Sequence, residues 1–134
     1  MTLIALIEDN PADAFLIEEA IARHTAGLKL LAIRDGEEAI RLIEQADADE
    51  AVSCPALILL DLNLPTKTGE EVLAHIRASG RCAGVPVVVV TSSDSPQDRE
   101  RAERLGADRY FRKPADYDAF MQLGAIVKEL LERI

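Results

Sequence analysis

A chain of 134 residues that is 49% hydrophobic, 4% aromatic and free of Trp is the size of one domain and has to build an aliphatic core, with no need of disulfides or a structural metal. Its 24 acidic against 15 basic residues leave a net charge of -9, which argues against a nucleic-acid surface, since phosphate binding needs a clustered basic excess, and suits a protein that binds cations. The opening MTLIALIEDN is too short to span a membrane and has no basic leader before its apolar run, so no membrane segment or signal peptide is expected and the chain reads as cytoplasmic.

The first apolar run, residues 3–7, reads as a strand ending on the acid pair Glu8 and Asp9. Asn10 followed by Pro11 is helix-start chemistry, and Gly27 lies just past the end of that helix. A second strand, residues 28–33, leads to Asp35 with Glu38 three positions on, the start of a second helix that runs into a polar connection ending at Pro55. Cys54 lies in that connection and Cys82 follows the third helix; with no CxxC or Cys/His cluster near them, both are expected as ordinary reduced thiols, neither zinc ligands nor a disulfide. Residues 56–60 are continuously apolar, as in a strand buried on both faces, and stop at Asp61 before a loop carrying Asn63, Pro65, Thr66 and Gly69. Thr68 with Glu71 opens the third helix, which Gly80 closes. The fourth strand, residues 85–90, meets Thr91 and Ser92; Ser95, Pro96 and Asp98 start the fourth helix, which ends at Gly106. A weaker strand over residues 109–112 precedes Lys113 and Pro114, and residues 116–134 read as the longest helix. No linker or repeat interrupts residues 1–134, so a single domain with no further output domain is expected.

Strands alternating with helices predict a doubly wound α/β fold: a five-stranded parallel sheet with five helices on its two faces and right-handed crossovers. In such sheets ligands bind outside the carboxyl ends of the strands, where strand order reverses. With the order 2-1-3-4-5, strands one and three are neighbours, and Glu8, Asp9 and Asp61 converge on one edge. Three close anions repel one another in a low-dielectric setting. A divalent cation would offset that repulsion, and a few oxygen ligands with room for water suit Mg²⁺. Each residue alone has a plainer role: a turn acid for Glu8, Asp9 or Asp61, a strand-end hydroxyl for Thr91, a solvated charge for Lys113. Their placement at the ends of four different strands favours a site. His24 and His75 fall on helices away from it.

Those residues, Glu8 and Asp9 in LIEDN, Asp61 in LLDLNLP, Thr91 in VVVVTSS and Lys113 in YFRKP, resemble the receiver domain of two-component response regulators, the CheY-like fold, over essentially the whole chain. The stretches LILLDLNLPTKTGEEVL and VPVVVVTSSD are similar more narrowly to small single-domain regulators paired with phytochrome-type histidine kinases. Glu8 departs from the commoner Asp, a substitution frequent in the family. The resemblance implies a flavodoxin-like three-layer sandwich in which Asp61 accepts a phosphoryl group from a histidine kinase. It implies Mg²⁺ held by Asp9, Asp61 and the Asn63 backbone carbonyl, with Glu8 acting through water. Lys113, behind a cis Lys113–Pro114 peptide, would pair with a phosphate oxygen. Thr91 and Tyr110 would act as the switch, altering the surface around the fourth helix, fifth strand and fifth helix for a downstream protein target. Such a protein catalyses only its own phosphorylation and dephosphorylation. The plainer role for Tyr110, set beside the switch, is a half-buried strand aromatic.

Two other functions compete. A degenerate receiver would serve as a phosphorylation-independent scaffold, but every phosphorylation residue is present. A phosphatase of the haloacid dehalogenase type would need an acid where Asn63 stands, and nucleotide-binding loops GxGxxG and GxxxxGK[ST] are absent. Along the last helix Phe120, Leu123, Val127, Leu130 and Ile134 form an apolar stripe, and Tyr117, Met121, Ile126 and Leu131 widen it. An exposed part of that arc is expected to support a homodimer, with the kinase or another target as the alternative occupant.

Overall fold

The helix-start chemistry stands where the sequence puts it. In the computed structural model, which describes residues 2–133, Asn10 caps α1 (Pro11–His24) by accepting from the amides of Ala12 and Asp13, and Asp35 caps α2 (Gly36–Ala48) through Glu38. Thr68 and Glu71 form a reciprocal capping box at α3 (Gly69–Ala78), and Ser95 caps α4 (Pro96–Arg104) through the Asp98 amide. Gly27 and Gly106 turn the chain with positive φ, whereas α3 already ends at Ser79.

The strands β1 (Thr2–Ile7), β2 (Leu28–Ile33), β3 (Leu57–Leu60), β4 (Val87–Thr91) and β5 (Arg109–Arg112) pair in parallel in the order β2-β1-β3-β4-β5. Alternate residues serve opposite faces. Ile4, Leu6, Leu57, Leu59, Val88 and Val90 pack with Ile17 and Ile21 of α1 and with the C-terminal helices. Ala5, Ile7, Ile58, Leu60 and Val87 pack with Ile40 and Ile43 of α2 and Val72, Leu73 and Ile76 of α3. Covered on both sides, β3 and β4 are buried along their whole length, the reason their sequences show no alternation. Each fully buried aliphatic side chain contributes roughly 1.5–3 kcal/mol.

The C-terminal helix differs from expectation. It runs as α5 (Tyr117–Met121) and α6 (Leu123–Glu132), divided at Gln122, where the Gln122 amide bonds back to Ala119 and the Ala125 amide to Gln122 over the shorter three-residue step. The division accompanies a close approach to α1: a Cβ on Gly124 would lie 2.0 Å from the Ala20 carbonyl oxygen, so only glycine fits there. The apolar arc is also more covered than expected. Phe120, Leu123, Val127 and Leu130 are core, Met121 is buried with them, Ile126 and Leu131 are half-buried against the same core, and Tyr117 is left exposed. Ile134, the last residue of the stripe, lies outside the described residues.

The cysteines are a second correction. Cys54 and Cys82 form a disulfide, with Cα atoms 5.6 Å apart. β3 and β4 are neighbours, so the connections that precede them meet at the amino edge of the sheet, a proximity that 28 residues of separation conceal. No described helix is long and apolar enough to cross a membrane.

Candidate functional site

The register of the sheet builds the site. Ile7 pairs with Ile33 on one side and with Leu60 on the other, so β1 and β3 end level. The Asp61 amide donates to the Ile7 carbonyl at 3.0 Å and the Glu8 amide to Ile33 at 2.9 Å, which sets both acids just beyond the last rung. Glu8 and Asp61 are buried and Asp9 is exposed; one carboxylate oxygen from each lies within 4.8 Å of the others. Few hard oxygen donors, one of them open to solvent, fit a divalent cation that keeps part of its water.

Lys113 completes the cluster from the other side. Its amide donates to the Thr91 carbonyl at 2.7 Å, continuing the β4–β5 pairing one residue past β5. Its ammonium donates to Glu8 Oε1 at 2.6 Å, Asp13 Oδ2 at 2.8 Å and Asp61 Oδ2 at 3.1 Å. The expected cis peptide is absent: no described peptide bond is cis. Trans is the ordinary state of an X–Pro bond, and with it the ammonium already reaches all three acids. Burial pushes the Glu8 carboxyl up to about 7, and the charge of Asp61 adds to the rise while the Lys113 hydrogen bond offsets part of it. Burial works against the Lys113 ammonium, but its bonds to Asp13 and Glu8 hold it well above its usual value.

The loop after Asp61 is tightly held. The Asn63 amide donates to Asp61 Oδ1 at 3.2 Å, leaving Oδ2 to Lys113. A Cβ on Gly69 would lie 2.2 Å from the Asp61 carbonyl oxygen, so the loop can close onto β3 only over glycine. Thr66 takes φ 69°, a conformation costing about 1–3 kcal/mol outside glycine, and is held there by the start of α2. Its hydroxyl accepts from the Glu37 amide at 3.0 Å and donates to Asp35 Oδ1 at 3.3 Å, while the Gly36 amide bonds Pro65.

Thr91 is fully buried at the end of β4, its hydroxyl accepting a long 3.4 Å contact from the Ser93 amide. Tyr110 stands apart from the carboxylates on β5. Its hydroxyl donates to the Ser93 carbonyl at 3.0 Å, and the Arg99 guanidinium lies 5.0 Å from its ring centre. Burial raises its phenol. Glu8, Asp9, Asp61 and Lys113 are thus brought together, with Asn63 beside them; Thr91 and Tyr110 are tied to each other through Ser93. Sequence reasoning missed Asp13. An acid in the first turn of the helix that starts at the acid pair was the available signal, but such acids commonly serve only the helix dipole.

A doubly wound sheet of this order, with an acid cluster, a buried hydroxyl and an inward lysine at its carboxyl edge, is the CheY-like class. The chain belongs to the family of response regulator receiver domains, whose sequence profile matches residues 4–124. It is 36% identical over 133 residues to the response regulator Rcp1 of Synechocystis sp., covering 98% of this chain and 90% of Rcp1. The structure of the phosphorylated cyanobacterial phytochrome response regulator RcpA matches with a TM-score of 0.88 and 37% identity over 99% of this chain and 96% of that one. The Mn²⁺-bound form of Rcp1 matches at 0.87 with 36% identity, over 100% and 97%. The protein is therefore a receiver domain of two-component signalling, a family of phosphoacceptor proteins that work with histidine kinases and bind divalent metal at the acidic pocket.

Proposed function

We propose that Asp61 takes a phosphoryl group from the phosphohistidine of a phytochrome-type histidine kinase, in a reaction that uses Mg²⁺. The observation that carries this is Asp61 itself, a buried carboxylate with Lys113 Nζ at 3.1 Å and the oxygens of Glu8 and Asp9 within 4.8 Å. An Asp61 oxygen attacks phosphorus, the P–N bond to the imidazole breaks, and the imidazole nitrogen keeps the electron pair. Phosphoryl transfer asks a protein mainly for positioning and charge neutralisation. Asp9, Asp61 and the Asn63 carbonyl would hold Mg²⁺, with Glu8 acting through water, and the bound cation would supply positive charge for the transferred oxygens. Lys113 offers a second positive charge, and the Asn63 amide fixes the Asp61 rotamer. Thr91, whose hydroxyl makes only a long contact among the described residues, can turn it toward a phosphoryl group. That turn would release the Ser93 amide, and Tyr110, bonded to the same residue, would follow. The altered surface of α4, β5 and the C-terminal helices α5 and α6 would then be offered to a downstream protein target.

The partner is tested by a phosphotransfer profile against the host's histidine kinases, with light scattering on the same samples. Fastest labelling by a phytochrome-type kinase is expected, and labelling by other kinases alone would overturn that assignment. A homodimer through the surface carrying α5 and α6 belongs to the proposal, supported by exposed Tyr117 at the start of α5; a mass of one chain before and after labelling would remove it.

Metal and pH act together. Glu8 has a folded value of about 7 against an ordinary 4.5, so its favourable contribution to metal-free stability is complete below about pH 4.5 and lost as pH rises to about 7. A bound cation favours the ionised carboxylate. The thermal shift produced by Mg²⁺ is therefore expected to grow between pH 5.5 and 8, and to correspond to about 2.7 kcal/mol at a hundredfold excess over its Kd. Unfolding curves with and without Mg²⁺ at several pH values check it. An equal shift in the Asp9→Ala/Asp61→Ala double variant would count against a shared site.

A further inference from the structure

An ammonium has three N–H donors, and Lys113 uses all three within the site, on Glu8, Asp13 and Asp61. Two of those acceptors have other duties. Glu8 and Asp61 belong to the cluster that fits a divalent cation. A cation there draws their oxygens and repels an ammonium a few ångströms away. Phosphorylation makes a further demand, because Asp61 then carries an acyl phosphate in place of a free carboxylate. Asp13 is outside the metal cluster and is not the acceptor. Its backbone is fixed by the Asn10 cap at 3.1 Å, its side chain is 28% exposed, and its one salt bridge among the described residues is to Lys113.

We infer that Asp13 is a positioning residue, acting through Lys113 to keep the ammonium over Asp61 while cation and phosphoryl group engage the other two carboxylates. The inference rests on Asp61 being the phosphoacceptor. Asp13 touches neither the transferred group nor the metal cluster; its effect passes through Nζ. A purely structural role is the contrast, since an acid in the first turn of α1 also complements the helix dipole.

A double-mutant cycle separates the two. Phosphorylation of the full chain by phosphoramidate at saturating Mg²⁺ is timed for wild type, Asp13→Asn, Asp13→Glu, Lys113→Ala and the Asp13→Asn/Lys113→Ala pair. Asp13→Asn is expected to slow labelling about tenfold, as befits loss of the anionic partner of a charge-assisted hydrogen bond, the amide oxygen being a weaker acceptor. Asp13→Glu should stay within about threefold of wild type, and the double variant should match Lys113→Ala alone. Undiminished labelling in Asp13→Asn, or the same slowing on the Lys113→Ala background, overturns the inference. A second readout does not depend on chemistry: the exchange-protected Lys113 ammonium resonance in ¹⁵N-lysine protein loaded with Mg²⁺. It is expected in wild type and lost in Asp13→Asn; its survival in the variant also overturns the inference. If wild type itself takes no label, the phosphoacceptor reading fails, and the resonance still decides the role of Asp13.

Discussion

Asp61→Asn is expected to abolish phosphoryl labelling. Incubated with phosphoramidate or acetyl phosphate and Mg²⁺, the wild type should gain the mass of one phosphoryl group and the variant none. The amide lacks a free anionic oxygen to attack phosphorus, while its shape is nearly unchanged, so loss of label cannot be put down to a collapsed site. Asn can still accept from the Asn63 amide or from Lys113, the two contacts that orient Asp61. The variant should also be at least as stable without metal, because the charge of Asp61 is one of the causes that raise Glu8. Its Mg²⁺-dependent thermal shift should shrink, since one of the three clustered carboxylates is gone. Intact mass and unfolding curves read both effects. Robust labelling of Asp61→Asn would place the acceptor elsewhere in the chain.

Breaking the Cys54–Cys82 bridge is expected to lower stability by about 3–4 kcal/mol, the chain-entropy value for a loop closed across 28 residues. For a chain of this length the unfolding midpoint should fall on the order of 10 °C. Cys82 is fully buried and Cys54 packs against the same core, so alanine variants lose burial as well; comparison of oxidised with reduced wild type isolates the bridge. The fold should survive reduction. Arg81 donates to the carbonyls of Ala46, Asp49 and Val52 at the same corner, and Ser79 donates to Asp47 at 2.6 Å. Phosphorylation should persist too, because the bridge lies at the amino edge and Asp61 at the carboxyl edge. Identical midpoints with and without reductant would remove the bridge from the account. Disulfides persist in oxidising surroundings and are rare in the reducing cytosol. The bridge and the cytoplasmic reading therefore pull in opposite directions, and thiol trapping on cell lysis measures which holds.

Much of this protein was legible in its sequence because the relevant physics is local. Caps at Asn10, Asp35, Thr68 and Ser95 satisfy amides two or three residues away, so they mark helix starts without reference to the rest of the chain. The continuous apolar runs of β3 and β4 record burial on both faces, and the residues that end strands must share an edge once the sheet is parallel. Glu8, Asp9, Asp61 and Lys113 share the carboxyl edge on that basis alone. The remainder depended on where remote segments meet. Asp13 and Lys113 are 100 residues apart, and a first-turn acid looks the same whether it faces water or an ammonium. The cysteines pair because β3 and β4 are adjacent, which brings two connections together at the amino edge. Helix periodicity showed the width of the C-terminal apolar arc, but only the packing of the C-terminal helices on α1, where Gly124 meets Ala20, shows Met121 covered, Tyr117 exposed and the helix divided at Gln122. Periodicity and capping are set by neighbours along the chain; partners, coverage and crosslinks are set by distances that exist only after the sheet has closed its helices around it.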